Sequence, residues 1–287
     1  MTESLRSPQS TAPVRAARRV RHDLKLRLAT VLQVEPLGAS MRRITLGADE
    51  LRTFVSSAPD DHVKVFFPLR PGEPPLLPSG PPGGGLHGPH ADGDAAQAPR
   101  PIARDYTPRS YDTVRGELQL EFVLHGEGPA AAWAAQAAPG QQLGIGGPRG
   151  SFIVPDDLDW YLMMGDESAL PAIGRWLEEL RPGRRALVVA EVTGPADELP
   201  LRSEASMSVQ WLHRGDTPPG DAARLLAAAR ALELPPGAGY IWIAGESNVS
   251  RALRQHFVEE RGFDRQWIKA AGYWKQGVAA THEKHED

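Results

Sequence analysis

The segment Arg104-Asp-Tyr-Thr-Pro-Arg109, followed a short way on by His125-Gly-Glu-Gly-Pro129, decides how this chain is interpreted. Its tyrosine offers a flat face for a planar ring, and its threonine offers a hydroxyl or a backbone N–H to a ring heteroatom. Its arginines offer forked donors that match a pyrophosphate. The glycines of the second segment let backbone N–H groups approach the same phosphates closely. In this order, the two segments indicate a flavin-binding site.

The residues around these segments have the pattern of an antiparallel β-barrel. Apolar residues often alternate over residues 24–46, residues 63–67 are rich in β-branched and aromatic side chains, and residues 116–124 alternate cleanly. Between these strands, residues 71–101 are mostly Pro, Gly, Ala and His, a composition that predicts a long disordered surface loop. His87 and His90 in this loop have no other ligand types near them, so they do not indicate a metal site.

The second half of the chain alternates strands with helices. Strands are predicted at residues 160–164, 186–190, 208–212 and 240–244, and helices from Gly165 to about Leu180, over 221–232 and over 248–261. This alternation favours a mostly parallel sheet, in which ligands lie at the carboxyl ends of strands. Gly165 and Gly245 fall at such ends.

Composition limits the possible functions. The chain has 287 residues, enough for two domains, and no cysteine, which excludes disulfides, thiolate metal sites and cysteine nucleophiles. Redox chemistry would therefore belong to a cofactor. The net charge of -4 argues against a general nucleic-acid binder. Without an apolar run long enough for a membrane span or a signal peptide, the sequence predicts no integral membrane contact and a cytoplasmic location.

Five further ordered segments carry a family resemblance. They are residues 133–140, Gly147-Pro-Arg-Gly-Ser-Phe152, Gly165-Asp-Glu-Ser-Ala-Leu-Pro-Ala-Ile173, Ala244-Gly-Glu246 and Gly272-Tyr-Trp-Lys275. With them, residues 25–277 resemble the siderophore-interacting protein family, the flavin-dependent ferric-siderophore reductases of bacteria. The resemblance implies a ferredoxin-reductase-like fold: an antiparallel flavin-binding β-barrel followed by a mostly parallel nucleotide-binding α/β sheet. The expected divisions are a disordered tail (1–22), the barrel (23–154), the α/β domain (155–278) and a second tail (279–287).

The resemblance also implies which residues hold FAD. Tyr106 is expected to stack on the isoalloxazine ring, Thr107 to bond near its reactive nitrogen, and Arg104, with Arg109 as a further candidate, to face the phosphates. From the second segment the expected contacts are His125, Gly128, Ala130, Ala131 and Trp133. The family often has serine where this chain has Ala131, so one hydroxyl contact is missing.

A nicotinamide nucleotide is expected at the ends of two strands of the α/β domain. The implied residues are Gly165, Asp166, Glu167, Ser168, Ala244, Gly245 and Glu246. Asp166 and Glu167 stand where the wider superfamily has bare glycines, and carboxylates near a pyrophosphate are unfavourable. The turn is therefore expected to bind the nucleotide differently or weakly, and capping of the following helix by Asp166 or Ser168 is the alternative.

The choice between NADPH and NADH stays open at this point, with a lean toward NADPH on family grounds. Arg202 and Arg214 suit an adenosine 2′-phosphate. The neighbouring carboxylates of Glu191, Asp197 and Glu198 would repel it.

For a ferric siderophore, which is often anionic, the resemblance suggests three cations: Lys64, Arg149 and Lys275. Trp274 either covers the flavin or belongs to the core. The implied activity is electron transfer from NAD(P)H through FAD to siderophore-bound ferric iron, with release of ferrous iron. Two alternatives remain: a flavin reductase with another acceptor, and a siderophore-binding protein reduced by ferredoxin.

Overall fold

The computed structural model of the chain describes residues 15–78, 100–124, 128–277 and 283–284. His125, His87, His90, the middle of the predicted 71–101 loop and most of the two tails lie outside these residues. Within them, no helix is long and apolar enough to cross a bilayer, and no three His, Asp or Glu side chains are grouped to hold a metal ion.

The first sheet is an open antiparallel barrel. Its seven strands are β2 (Leu26–Leu37), β3 (Met41–Gly47), β4 (Val63–Phe67), β5 (Ile102–Tyr106), β6 (Ser110–Asp112), β7 (Glu117–Val123) and β8 (Gln142–Gly146). Their order is β5-β4-β8-β2-β3-β7-β6. The two edge strands, β5 and β6, are consecutive in sequence and are joined by residues 107–109 alone, so the sheet has to curl until its edges approach each other. Helix α1 (Pro129–Ala135) packs against β4 and β7.

A short ribbon is attached to this barrel. It consists of β1 (Arg18–Arg21) and β9 (Gly150–Ile153), which pair antiparallel in the register Arg18↔Ile153 to Arg21↔Gly150. The predicted disordered tail therefore ends before residue 22. No strand pattern is visible in these four residues, because they are mostly charged and their partner lies about 130 positions away.

The second sheet has the order β12-β11-β10-β13-β14-β15. Five strands run parallel: β10 (Trp160–Gly165), β11 (Arg185–Val192), β12 (Ser206–His213), β13 (Gly239–Glu246) and β14 (Ile268–Trp274). The two-residue β15 (Glu283–Lys284) runs antiparallel at the edge. The helices are α2 (Leu170–Glu179), α3 (Ala223–Ala231) and α4 (Ser247–Gln255). The predicted barrel and mostly parallel sheet are thus confirmed.

Two elements of this sheet depart from the sequence-based prediction. Strand β14 was not predicted, because its sequence IKAAGYW neither alternates nor forms a long apolar run. The last predicted helix ends as an α-helix at Gln255 and continues as one π-helical turn, His256–Glu260. Gly262 follows it at a φ of 67°, the left-handed conformation that ends a helix.

Three apolar clusters explain why these elements form. The barrel interior is filled by alternating side chains such as Val31, Ile44, Val65 and Leu120. The two faces of the parallel sheet are covered separately, one by α2 through Ile173 and Trp176, the other by α3 and α4. Because both faces are buried, β10 and β13 are fully buried strands, which is why they appear in the sequence as unbroken apolar runs.

Candidate functional site

Tyr106 ends β5 at the edge of the barrel. Its strand neighbour is Val63, and its ring lies 4.3 Å from the ring of Phe122 and 6.3 Å from that of Phe67, measured between centroids. Burial raises the pKa of the Tyr106 hydroxyl. The ring is therefore held in one orientation by its aromatic neighbours, as a stacking platform for a planar cofactor requires.

Thr107 follows directly and is buried. Its side chain hydrogen-bonds to Tyr273 of β14, and burial raises the pKa of the Tyr273 hydroxyl. This contact joins the edge of the barrel to the parallel sheet. Tyr273 was not predicted as a site residue, although it lies inside the quoted segment Gly272-Tyr-Trp-Lys275.

The two arginines of the first segment have different surroundings. Arg104 donates from Nη1 to its neighbour's carbonyl, Ala103 O, at 2.8 Å, and no carboxylate of the described chain forms an ion pair with it. Arg109 forms a forked pair with Glu178 of α2, at 2.8 and 2.6 Å, and its Nε lies 3.6 Å from Glu121 Oε1. These bonds lower the pKa of Glu178. Arg109 thus links the barrel to α2 through its ion pairs. This engagement argues against the phosphate-binding role suggested for it.

The second segment is described from Gly128 onward. Gly128 precedes α1, and Pro129 occupies the first helical turn. The first intrahelical bond runs from Ala132 N to Gly128 O, so the N–H groups of Ala130 and Ala131 have no partner inside the helix. Trp133 points the other way, into the barrel core, with its ring 5.7 Å from Phe67.

The turn after β10 is closed by hydrogen bonds around Asp166. Asp166 Oδ1 accepts from Ser168 N at 2.9 Å and caps the 3-10 turn Glu167–Ala169, which leads into α2. Whether Asp166 also contacts a nucleotide stays a prediction. Its Oδ2 accepts from Glu246 N at 3.1 Å and from Trp274 Nε1 at 2.8 Å. Trp274 is therefore held across the turn by this hydrogen bond. Its side chain is half-buried and does not belong to an apolar core.

Glu167 lies beneath this turn in a buried group of charges. It forms an ion pair with Arg214, which also donates from Nη2 to Thr193 Oγ1 at 2.7 Å. Burial, reinforced by the charge of Asp166, raises the pKa of Glu167. Glu191 lies close by, and burial raises its pKa to about 7. Arg214 is thus already engaged, whereas Arg202, the other candidate for a 2′-phosphate, is exposed.

The end of β13 lies beside the same turn. Gly245 has a φ of 149°, and a Cβ on it would lie 2.7 Å from Asp166 Oδ2, so only glycine fits there. Ala244 is buried opposite Gly165 in the sheet. Glu246 caps α4, accepting from Asn248 N at 2.6 Å and Val249 N at 3.0 Å. The two predicted nucleotide segments are therefore brought together at the carboxyl ends of the neighbouring strands β10 and β13.

The three predicted substrate cations occupy separate elements. Lys64 of β4 forms an ion pair with Asp105 of β5 at 2.8 Å, and its register partner on β8 is Gly146. Arg149 is exposed in the turn between β8 and β9, and Lys275 follows β14 half-buried. Since Val63 and Tyr106 are paired, Lys64 points to the sheet face opposite Tyr106. Convergence of the three cations stays a prediction.

Both halves of the chain are similar to known protein families. Residues 30–152 match the family model described as Siderophore-interacting FAD-binding domain, and residues 158–277 match that described as Siderophore-interacting protein. A relative from Escherichia coli (strain K12), named NADPH-dependent ferric-chelate reductase, is 37% identical over 91% of this chain and 97% of its own length.

This chain belongs to the siderophore-interacting protein family.

Two further relatives agree. The ferric vibriobactin reductase ViuB of Vibrio cholerae is 34% identical over 90% of this chain and 93% of its own length. A siderophore utilization protein from T. fusca, known as a crystal structure, is 33% identical with a TM-score of 0.82 and covers 92% of this chain and 97% of that one. The predicted family resemblance is therefore confirmed.

The residues of this siderophore-interacting protein fit an FAD. The fit rests on three features: the aromatic ring of Tyr106 at the barrel edge, the guanidinium of Arg104, which has no ion pair within the described residues, and the N–H groups at the start of α1, which have no acceptor inside the helix. Sequence reasoning missed Tyr273 and also Arg175 of α2, which crosses from the second domain to the barrel. No local pattern marks such a contact, because its partners, Ser56 and Pro108, are more than 60 positions away.

Proposed function

We propose that this protein is an FAD-dependent ferric-siderophore reductase that moves electrons from NADPH or NADH to ferric iron held in a siderophore. The observation that carries the proposal is the match of both family domains, in order, over a fold whose barrel edge bears Tyr106 and Arg104. The name of the E. coli relative supports NADPH as the donor and a ferric chelate as the acceptor.

When bound, FAD would supply the electron-transfer chemistry, accepting a hydride and giving up single electrons. The side chains bind and orient it. Arg104 and the N–H groups of Ala130 and Ala131 are assigned to the phosphates, and Tyr106 to the ring. Thr107, held by Tyr273, fixes the barrel edge against the second domain. His125 stays a candidate contact outside the described residues.

The donor site is assigned to the paired turns after β10 and β13, with Gly165, Asp166, Glu167, Ser168, Ala244, Gly245 and Glu246. Asp166 holds the indole of Trp274 across this turn, so Trp274 lies at the proposed donor site. For the acceptor, Lys64, Arg149 and Lys275 are assigned to the anionic siderophore. Ferrous iron is held weakly by hard oxygen chelators, so reduction releases it.

The same closed turn favours a second candidate, reduction by an external carrier such as ferredoxin. Carboxylates at Asp166 and Glu167 are unfavourable next to a dinucleotide pyrophosphate. Glu167 is tied to Arg214, so the nearest buried cation is not free to offset them. In this alternative the protein binds the ferric siderophore and receives its electrons from another protein.

Anaerobic mixing of the purified protein with NADPH or NADH and then with a panel of ferric siderophores tests both candidates. We expect a yellow protein whose flavin absorbance is bleached by a nicotinamide and recovers with a ferric siderophore, while a ferrous-iron chelator develops colour. A colourless protein would refute the flavin assignment. A yellow protein that no nicotinamide bleaches would select the external carrier.

A further inference from the structure

A cleft of about 280 Å³ opens at the end of the barrel, apart from every residue assigned above. Its walls come from the β1–β2 connection, from Thr53 at the end of the 3-10 turn Asp49–Thr53, and from the turn after β8. Three cations line it, Arg21, Lys25 and Arg27, against the single carboxylate of Asp23. In a chain of net charge -4, this is a local concentration of positive charge.

Arg27 is built into the floor of the cleft. Only 4% of it is exposed, and its guanidinium lies 5.3 Å from the centroid of the Phe54 ring. Its Nε donates to Glu50 O at 3.2 Å and its Nη1 to Gly147 O at 2.9 Å. No group in the described chain accepts from its Nη2. The planar fork is thus held rigidly with one donor unused, an arrangement suited to a carboxylate or phosphate.

Arg21 and Lys25 add charge at the rim. Both are exposed, and the contact of the Lys25 ammonium is a hydrogen bond to Thr53 Oγ1 at 3.3 Å. Within the described residues no carboxylate forms an ion pair with either side chain. In the part of the chain that the structure describes, the opposing charges at the cleft are Asp23 at the rim and the carboxylate of Glu50 near Arg27. A bound anion would therefore meet a surplus of cations.

The position of the cleft relates it to the acceptor site. Gly147 and Pro148, which line it, immediately precede Arg149. Strand register places Leu26 beside Gly146, Gly146 beside Lys64, and Val63 beside Tyr106, so β2, β8, β4 and β5 all reach this end of the barrel. Three strand spacings, about 14 Å, separate β2 from β5. A large ligand bound near Tyr106 can therefore reach the cleft with an outlying arm.

We propose that this cleft binds a peripheral carboxylate of the ferric chelate, so that the protein favours carboxylate-bearing chelates over uncharged ones. The inference rests on the proposed reductase function, but the anion site itself does not depend on it. Inorganic phosphate shares the same recognition chemistry and is the alternative source of the anion.

Binding of iron-free citrate to the FAD-loaded protein, measured by titration calorimetry at low ionic strength, tests the site directly. Because two exposed cations are removed, we expect the double variant Arg21→Gln/Lys25→Gln to bind citrate about tenfold more weakly than the wild type. The matched control Arg70→Gln/Arg230→Gln removes the same charge from exposed positions outside the cleft and leaves affinity unchanged. Equal affinities in all three proteins, or no citrate binding by the wild type, would overturn the site.

Kinetics separate the two sources of the anion. In the Arg21→Gln/Lys25→Gln variant, KM for ferric citrate is expected to rise about tenfold with kcat unchanged. The reason is that the peripheral carboxylate of the chelate positions the substrate without contacting the iron. KM for a ferric trihydroxamate, an uncharged complex, is expected to stay the same. Unchanged KM for ferric citrate together with tight phosphate binding would refute the chelate assignment. If the wild type reduces no chelate, the reductase proposal fails, and the calorimetry still decides whether the cleft is an anion site.

Discussion

The two arginines of one six-residue segment have different tasks, and their contacts predict how their substitutions differ. Arg104 has no ion pair within the described residues, so Arg104→Gln removes a phosphate contact and little else. A charge-assisted hydrogen bond is worth about 1.5–3 kcal/mol, so FAD affinity is expected to fall roughly 10- to 100-fold with stability unchanged. Fluorescence titration of FAD into the apoprotein measures this.

Arg109→Gln is the matched control: we expect it to lower stability through the lost Glu178 pair and to bind FAD normally. If Arg109→Gln weakened FAD binding and Arg104→Gln did not, the phosphate contact would be assigned to Arg109.

The charge of Glu191 depends on the fold. Burial raises its pKa from 4.5 to about 7, against the attraction of Arg214 and Arg224. Between these two values the folded protein holds a proton that the unfolded chain releases, so the free energy of unfolding falls as pH rises from about 4.5 to about 7. Glu191→Gln places a neutral amide at this position, so the variant does not lose unfolding free energy in this way as pH rises. We expect the variant to be more stable than the wild type by about 1–2 kcal/mol near pH 8, and no more stable near pH 4.

Urea unfolding at both pH values measures this difference. The control Glu204→Gln changes an exposed carboxylate and is expected to leave the pH dependence as it is. A Glu191→Gln variant with the wild-type pH profile would show that Glu191 is solvated and charged in the folded protein.

At the scale of elements, the β1–β9 ribbon depends on close backbone contact. A Cβ on Gly150 would lie 2.4 Å from Val20 O, so Gly150→Ala has to separate the two strands. We expect the substitution to expose residues 15–22 to trypsin, which cleaves after Arg18, Arg19 and Arg21, and to lower their hydrogen-exchange protection at least tenfold. Gly183→Ala is the control, because a Cβ there meets nothing within 4 Å, although its positive φ costs some stability. Unchanged protection of β1 in Gly150→Ala would show that the ribbon tolerates the separation.

Prediction from sequence succeeded where an element carries its own pattern. The fully buried strands β10 and β13 and the alternating β7 follow directly from apolar runs and periodicity. Residues whose structure depends on distant partners were not predictable: β1 forms only because β9 lies beside it, and β14 only because β13 offers an edge. The same holds for the site. Tyr106 and Arg104 lie on the edge strand β5, and their contacts to FAD stay a prediction, whereas the engagement of Arg109 by Glu178 required the docking of α2.

At the scale of the whole molecule, buried polar contacts hold the barrel against the parallel sheet. Asp197 Oδ1, on the second domain, accepts from Ala39 N, Ser40 N and Ser40 Oγ in the β2–β3 turn, at 3.0, 2.8 and 2.7 Å. Arg175 of α2 donates to Ser56 Oγ at 2.7 Å, Ser56 O at 3.0 Å and Pro108 O at 3.2 Å. The Arg175 contact with Pro108 lies next to Thr107, so domain docking is connected to this part of the proposed cofactor site.

Arg175 provides the sharpest test of this coupling, because only 5% of its side chain is exposed and its hydrogen bonds cross between domains. Arg175→Met keeps the apolar stem but removes the donor to Pro108 O and one of the two donors to Ser56 O, which keeps its hydrogen bond from Tyr111 Oη. We expect a loss of about 3 kcal/mol and, in calorimetry, a division of one unfolding transition into two, since each domain retains its own apolar core. Arg230→Met is the matched control: it removes an exposed guanidinium of α3 that is paired only loosely with Glu260, at 3.7 Å, and should leave one transition. A single transition at wild-type temperature in Arg175→Met would mean that the domains are coupled through the Asp197 and Arg109 contacts instead.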